Sequence, residues 1–466
     1  MSAFKTIPVD VGVIYSGENI RYRDMRVQFG GPLPRGARHK FELVQVKDPE
    51  EIEDGKIIII GSDINDLEER STNPLGIYVE VSGSELEKDL EGVIERRIHE
   101  YTNYIEGTMH LNQRYDLYVR ISKASYEKGF NSFKIWGKVL ELLYKAELPI
   151  VEKIQITFVS DPVKVEEMKE EALKVYEERD ARARGLRDED VDAFYGCVLC
   201  QSFAPTHVCI VAPDRYCSCG AVSWFDARAS ARIDPKGPNF RIEKGECLDS
   251  TNGEWSGVNE VVSSKSLGEV NRVWLYSMFG YPHTSCGCFE GIAFYVPELE
   301  GIGIVHRDFT ELCVNGLSFA TMSDHTGGGR QSRGFNGISI EYLRSPKFFQ
   351  ADGGWNKVVW MPNEIKERVR DGIPEDIIDK IATENDAKTI DELRSFLVNV
   401  NHPVLEFWKA EEEAEEQPIE AETPLAMPSQ EGVISMPTLP LSVGGLRIIL
   451  KNVRIHAEKA IIRREE

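Results

Sequence analysis

The chain has 466 residues, more than one hydrophobic core usually fills, so two or three domains are expected. Its 55 basic and 77 acidic side chains leave a net charge of −22, which argues against non-specific binding to nucleic acid or to an anionic membrane surface, though not against a local basic patch. No apolar run approaches the ~18 residues of a membrane span, and the opening MSAFKTIPVD lacks a signal-peptide core, so a cytoplasmic protein with reduced thiols is expected.

Short apolar runs at 11–15, 25–29, 41–46 and 57–60 alternate with turn residues and read as strands, the last (IIII) as a buried one. Leu90, Val93, Ile94, Ile98, Tyr101 and Ile105 recur at helical spacing, predicting an amphipathic helix over 86–106 with Arg96 and Arg97 on its charged face. A strand at 117–121, a helix at 131–146 and a strand at 154–159 then suggest a parallel βαβ unit. Asp161-Pro162 offers a cap and first-turn proline for a helix over 163–184. The charged stretch 182–190 reads as a domain boundary. Beyond it come a cysteine-rich region, strands at 292–296 and 302–305, and helical patterns over 363–398. Residues 411–432 are acidic and proline-bearing, as in a linker, and 442–464 alternate as two strands. The expected architecture is α/β and multidomain: a mixed βαβ domain over 1–188, a metal-cluster domain over 189–405, a linker over 406–434 and a β segment over 435–466.

Five of the nine cysteines fall within 23 residues, as Cys197, Cys200, Cys209, Cys217 and Cys219. Gathered thiols in a reducing compartment point to a soft-metal site. Cys-x2-Cys-x8-Cys-x9-Cys supplies four ligands for an iron–sulfur cubane, whereas structural zinc usually shows paired knuckles; zinc and scattered buried thiols remain alternatives. Cys286-Gly287-Cys288 carries two more thiols. If its two inner amides join them, the result is a planar N2S2 set suited to Ni(II) or Cu(II), glycine removing a side chain that would obstruct the wrap; a tight turn with buried thiols is the rival reading. Cys247 and Cys313 belong to no motif and read as buried small apolar residues.

FYGCVLCQSFAPTHVC, CGAVSWFDA, TSCGCFE, GGGRQSRGFNGI and FQADGGWNKVVWMP together resemble the catalytic subunit of acetyl-CoA synthase, the nickel enzyme that partners CO dehydrogenase, in its shorter archaeal form. The resemblance implies a [4Fe-4S] cluster on Cys197, Cys200, Cys209 and Cys219, with CGAVSW favouring Cys219 over Cys217 as the fourth ligand. It implies a proximal nickel on Cys200, Cys286 and Cys288, and a distal nickel on the sulfurs of Cys286 and Cys288 and the amide nitrogens of Gly287 and Cys288. Phe203 would stand beside the open nickel position. The implied reaction is the reversible assembly of acetyl-CoA from CO, CoA and a methyl group delivered by a corrinoid iron–sulfur protein. CO dehydrogenase subunits are the implied partners. The shorter form lacks the N-terminal docking domain of longer members, which makes 409–466 a candidate contact. An iron–sulfur electron carrier and a zinc-stabilised scaffold are the rival classes.

CoA phosphates call for a basic cleft. Arg35, Arg38, His39, Lys40, Arg96, Arg97, Arg114 and Arg120 make the first domain the expected side, although each taken singly reads as a solvated surface charge. Gly327-Gly328-Gly329-Arg330 lacks the ending of a phosphate loop and reads as a tight turn near the metal. His207 and His283 read as satisfied structural histidines, with donation to sulfur the alternative.

Overall fold

The computed structural model describes residues 3–12, 20–31 and 39–408. The expected 435–466 β segment and most of the linker lie outside these, as do Arg35, Arg38 and most of the 11–15 strand. The described part belongs to one compact unit, Met1–Glu415, and no helix in it is long and apolar enough to cross a membrane.

The first half contains β1 (Met25–Gly30), β2 (Lys40–Val46), β3 (Ile57–Ile60), β4 (Ser71–Asn73), β5 (Leu75–Ser82), α1 (Glu91–Asn103), β6 (Thr108–Leu111), β7 (Tyr118–Ser122), α2 (Lys123–Glu127), α3 (Phe133–Glu147), β8 (Lys153–Val159) and α4 (Pro162–Arg184). They form two four-stranded sheets, ordered β4-β1-β7-β6 and β2-β5-β8-β3. The chain is therefore α/β with mixed sheets, but the expected βαβ unit is corrected: β7 and β8 flank α3 and belong to different sheets. The parallel pairs of the second sheet are instead β2 with β5 and β3 with β8. The IIII run is an edge strand and only half-buried, because edge position leaves one flank unpaired.

Phe29, Phe133, Trp136 and Phe158 form the aromatic heart of this half, with Phe133 and Phe158 stacked at 4.8 Å. Each contributes roughly 1.5–3 kcal/mol by leaving water.

The second half begins with β9 (Ala193–Cys197), β10 (Cys209–Val211), α5 (Trp224–Ile233), β11 (Asn239–Glu243), β12 (Cys247–Asp249), β13 (Glu254–Trp255) and α6 (Ser256–Lys265). It continues with β14 (Gly291–Val296), β15 (Gly301–His306), α7 (Phe319–Thr326), β16 (Phe335–Ile338), β17 (Val358–Trp360) and short helices to Asn399. Sheets β10-β9-β11 and β16-β14-β15-β17 each present one cysteine fragment at an end: Cys197 closes β9, and Cys288 lies just before β14.

Helix α1 joins the halves. Its apolar stripe meets the first core as expected, yet Arg96 and Arg97 are buried rather than solvated, 1 % and 9 % exposed. The second half covers the charged face: a Cβ on Gly92 would meet the Ala221 carbonyl oxygen at 2.4 Å, so helix and loop approach at backbone contact. Glu91 and Glu95 on the same helix accept from Val46 N and Val44 N, closing the free edge of β2, and both also pair with Arg179.

Candidate metal centre

Cys197 and Cys209 face each other across the β9–β10 ladder, and Cys200 follows on a 3-10 turn, Leu199–Ser202. Cys219 lies on a loop 3.5 Å, sulfur to sulfur, from Cys217. The second fragment reaches the same place because Glu290 N donates to the Ser218 carbonyl at 3.2 Å, binding the two cysteine segments backbone to backbone. Cys200, Cys286, Cys288 and Ala204 then form one buried cluster, with Cys219 packed against it. Cysteines from two segments far apart in sequence thus meet in one cluster, and all nine thiols of the chain are free.

Burial pushes Cys197 up to about 11 and Cys209 up to about 12, outweighing the nearby Arg96 and Arg215 guanidiniums. Within the trio, hydrogen bonds from Cys200 and Cys286 hold the Cys288 thiol well below the ordinary range, while contacts with Cys200 and Cys288 push Cys286 well above it.

Cys286-Gly287-Cys288 is held from outside at both inner peptide groups. The Cys286 carbonyl accepts from Gly328 N at 3.0 Å, and the Gly287 carbonyl accepts from Arg307 Nη2 at 2.8 Å. Gly287 sits at φ +137°, where side chains are rarely tolerated, while a Cβ there would meet nothing within 4 Å. Glycine is therefore favoured here by backbone conformation.

The triple-glycine turn lies at the centre, as expected. Gly329 N donates to Ser285 O, Thr206 Oγ1 donates to Gly329 O, and a Cβ at Gly329 would lie 2.5 Å from Thr206 Oγ1. His207 Nδ1 lies 2.9 Å from Thr284 Oγ1. His283 accepts from Ile210 N and holds the Thr284 carbonyl, so both histidines brace the two fragments rather than meet sulfur.

Two sulfur neighbours come from α1 and had no local signal in the sequence. Arg96 Nη2 lies 3.1 Å from Cys200 Sγ and 3.8 Å from Cys288 Sγ. His99 Nε2 lies 3.9 Å from Cys288 Sγ, and the Phe203 ring packs edge-on to His99 at 5.2 Å, which puts Phe203 on the rim of the cluster.

The His99 tautomer follows from its surroundings. Asn103 Nδ2 donates to the carbonyls of His99 and His110 and its Oδ1 accepts from His110 N, so the tautomer is set by His110. With His110 Nε2–H on the buried Glu42 carboxylate, His110 Nδ1 is left to accept and His99 Nε2 is unprotonated. His99 Nδ1–H accordingly donates to His110 Nδ1, and His110 Nε2–H to the buried Glu42 carboxylate. Burial lowers His99 to about 3, consistent with the neutral ring.

Among the described residues, no three side chains of His, Cys, Asp or Glu already stand as a coordination sphere for one ion. The donor set nevertheless suits a soft metal or an iron–sulfur cluster: buried thiols, an adjacent guanidinium and tethered peptide carbonyls.

The remaining candidates divide. Cys313 is buried as expected, but Cys247 is exposed, because its two-stranded β12–β13 hairpin has a solvent face. Lys40, Arg97 and Arg114 are buried and bonded internally, the last to Asp180 at 2.9 Å, which corrects their reading as surface charges. Arg120 donates to Gln28 and the Ile20 carbonyl, and His39 meets Glu166. A cavity of about 380 Å³ beside Glu290 is lined by Lys40, Lys169, His306, Arg368, Asp116 and Glu364, among others.

Fold and site define an α/β protein built around a buried sulfur centre shared by two distant segments. Residues 7–165 match the family described as CO dehydrogenase/acetyl-CoA synthase complex beta subunit, and 176–409 match the family described as the C-terminal part of the ACS/CODH beta subunit. The chain is 53% identical to the acetyl-CoA decarbonylase/synthase complex subunit beta of Methanothermobacter thermautotrophicus, covering 99% of this chain and 100% of the relative. It is 50% identical to the subunit of the same name from Methanopyrus kandleri, covering 100% of this chain and 99% of the relative. A solved C-terminal domain of an acetyl-Coenzyme A synthase alpha subunit is 39% identical over 26% of this chain and 96% of its own, with a TM-score of 0.24. The chain belongs to the CO dehydrogenase/acetyl-CoA synthase complex beta subunit family.

Proposed function

We propose that this chain is the acetyl-CoA synthase/decarbonylase of its complex, an acyltransferase joining CO, a corrinoid-borne methyl group and CoA. The observation that carries this reading is the meeting of Cys200 with Cys286 and Cys288 in one buried cluster. Cys197, Cys200, Cys209 and Cys219 would hold a [4Fe-4S] cluster, with Cys200 shared with a proximal nickel. Cys286, Cys288 and the amide nitrogens of Gly287 and Cys288 would hold a distal one. When bound, these metals supply an electron-rich, coordinatively open position at which two carbon fragments are joined.

The chain's own atoms support that role. Deprotonating the amides of Gly287 and Cys288 places charge on the carbonyls of Cys286 and Gly287, which already accept from Gly328 N and from the Arg307 guanidinium. Phe203 and His99 narrow the approach to Cys288, and the buried Glu42–His110 pair fixes the ring of His99. The relatives' names place their subunits in a decarbonylase/synthase complex, and CO dehydrogenase and a corrinoid iron–sulfur protein are the proposed partners here.

Anaerobic metal analysis of active protein tests the reading. The expected content is about two nickel per four iron, as nickel–thiolate and cubane sites together require. Cys286→Ala and Cys288→Ala should retain iron, lose nickel and abolish the nickel–iron–carbonyl signal that CO elicits. Iron without nickel in active protein would leave an electron carrier, and zinc alone a scaffold.

A further inference from the structure

We propose that Arg96 is a positioning residue for the sulfur centre: a buried cation, delivered by α1, that balances the centre's negative charge and sets how readily the loaded centre is reduced. The inference rests on the functional reading above and adds to it a residue from the other half of the chain.

A guanidinium 1 % exposed is costly unless something charged repays its lost hydration. Arg97 on the same helix pairs with Glu100, and Arg114 and Arg179, which reach α1 from other elements, pair with Asp180 and with Glu91 and Glu95; Arg215, also 1 % exposed, rests instead on Asn336, backbone carbonyls and the Tyr342 ring. Among the described residues no carboxylate stands within ion-pair distance of Arg96. Its hydrogen-bond partners are sulfurs, Cys200 at 3.1 Å and Cys288 at 3.8 Å, and its Nη1 is buried with no partner at all.

Arg96 touches the sulfur proposed to bridge cluster and nickel, together with one of the two sulfurs shared by the nickels. A cation there favours every state in which the centre carries more negative charge, including its reduced state. Without the charged centre the same cation is a burden on the fold.

The test uses the full chain, metal-free and after anaerobic reconstitution with iron, sulfide and nickel, as native protein, Arg96→Met and Arg96→Lys. In Arg96→Met the cluster's midpoint potential should shift negative, and Arg96→Lys, which keeps the charge, should restore most of the shift. Arg96→Met should also melt no lower than native protein when metal-free, yet gain less melting temperature on reconstitution. Equal potentials in three cluster-bearing proteins overturn the inference alone, as does an equal fall in melting temperature with and without metal, the mark of a packing residue. Failure of the native protein to take up iron overturns the functional reading instead. Metal-free melting then decides on Arg96: a drop in Arg96→Met refutes the buried-burden account, and an unchanged or higher value upholds it.

Discussion

Single residues at the centre are set by constraints of different kinds. Gly287 sits at a positive φ with no protein atom near the position a Cβ would take. Gly287→Ala should therefore cost about 1–3 kcal/mol of backbone strain without any clash, read as a lower urea midpoint of the metal-free protein. Gly329 differs, since there an added carbon would strike Thr206. The cysteines were legible in sequence because thiols are rare and their spacing is local. Arg96 and His99 were not, because burial of a helix's charged face depends on what covers it, and no spacing rule connects residue 96 with residue 200. Arg114 shows the same limit: an arginine beside a strand reads as solvated until the Asp180 carboxylate is seen at 2.9 Å.

Among the elements, those governed by local chemistry came out close to expectation. Helix α4 starts where Asp161 and Pro162 place it, with the Asp161 carboxylate accepting from Val163 N and Lys164 N. Asp161→Ala should destabilise the chain by about 1 kcal/mol, measured as a shift in the denaturation midpoint, since two first-turn N–H groups lose their acceptor. Strand pairing was the part that periodicity could not supply. The alternation that marks β7 and β8 as strands is indifferent to which sheet each joins, and the step between sheets is fixed by α3 lying on the shared aromatic core. The four isoleucines of β3 are apolar enough for a core strand but occupy an edge, a choice made by partner order.

Across the whole molecule, the stretch read as a boundary carries a reciprocal clasp. Asp188 N donates to Asp214 Oδ2 and Asp214 N to Asp188 Oδ1, both at 2.9 Å, with Lys347 Nζ 3.1 Å from Asp214. Burial, then the adjacent Asp214 carboxylate, raises Asp188 to about 7. The folded chain therefore holds a proton there that the unfolded chain, near its usual ~3.9, releases. This contribution to stability is complete below pH ~4 and is lost as pH rises toward ~7, by at most ~1.4 kcal/mol per pH unit. Urea unfolding between pH 4 and 8 should show a slope in native protein that becomes shallower in Asp188→Asn, Asp116 and Asp352, raised to about 7 and about 6, supplying the remainder. The same breadth of connection has a consequence for synthesis. The centre draws a guanidinium from residue 96, sulfurs from 197–219 and 286–288, and its bracing turn from 327–329. No nascent chain short of about 330 residues contains all of these parts, so the ribosome must deliver most of the protein before the centre can close. On the proposed reading, metal loading would then follow translation past the last glycine of the turn.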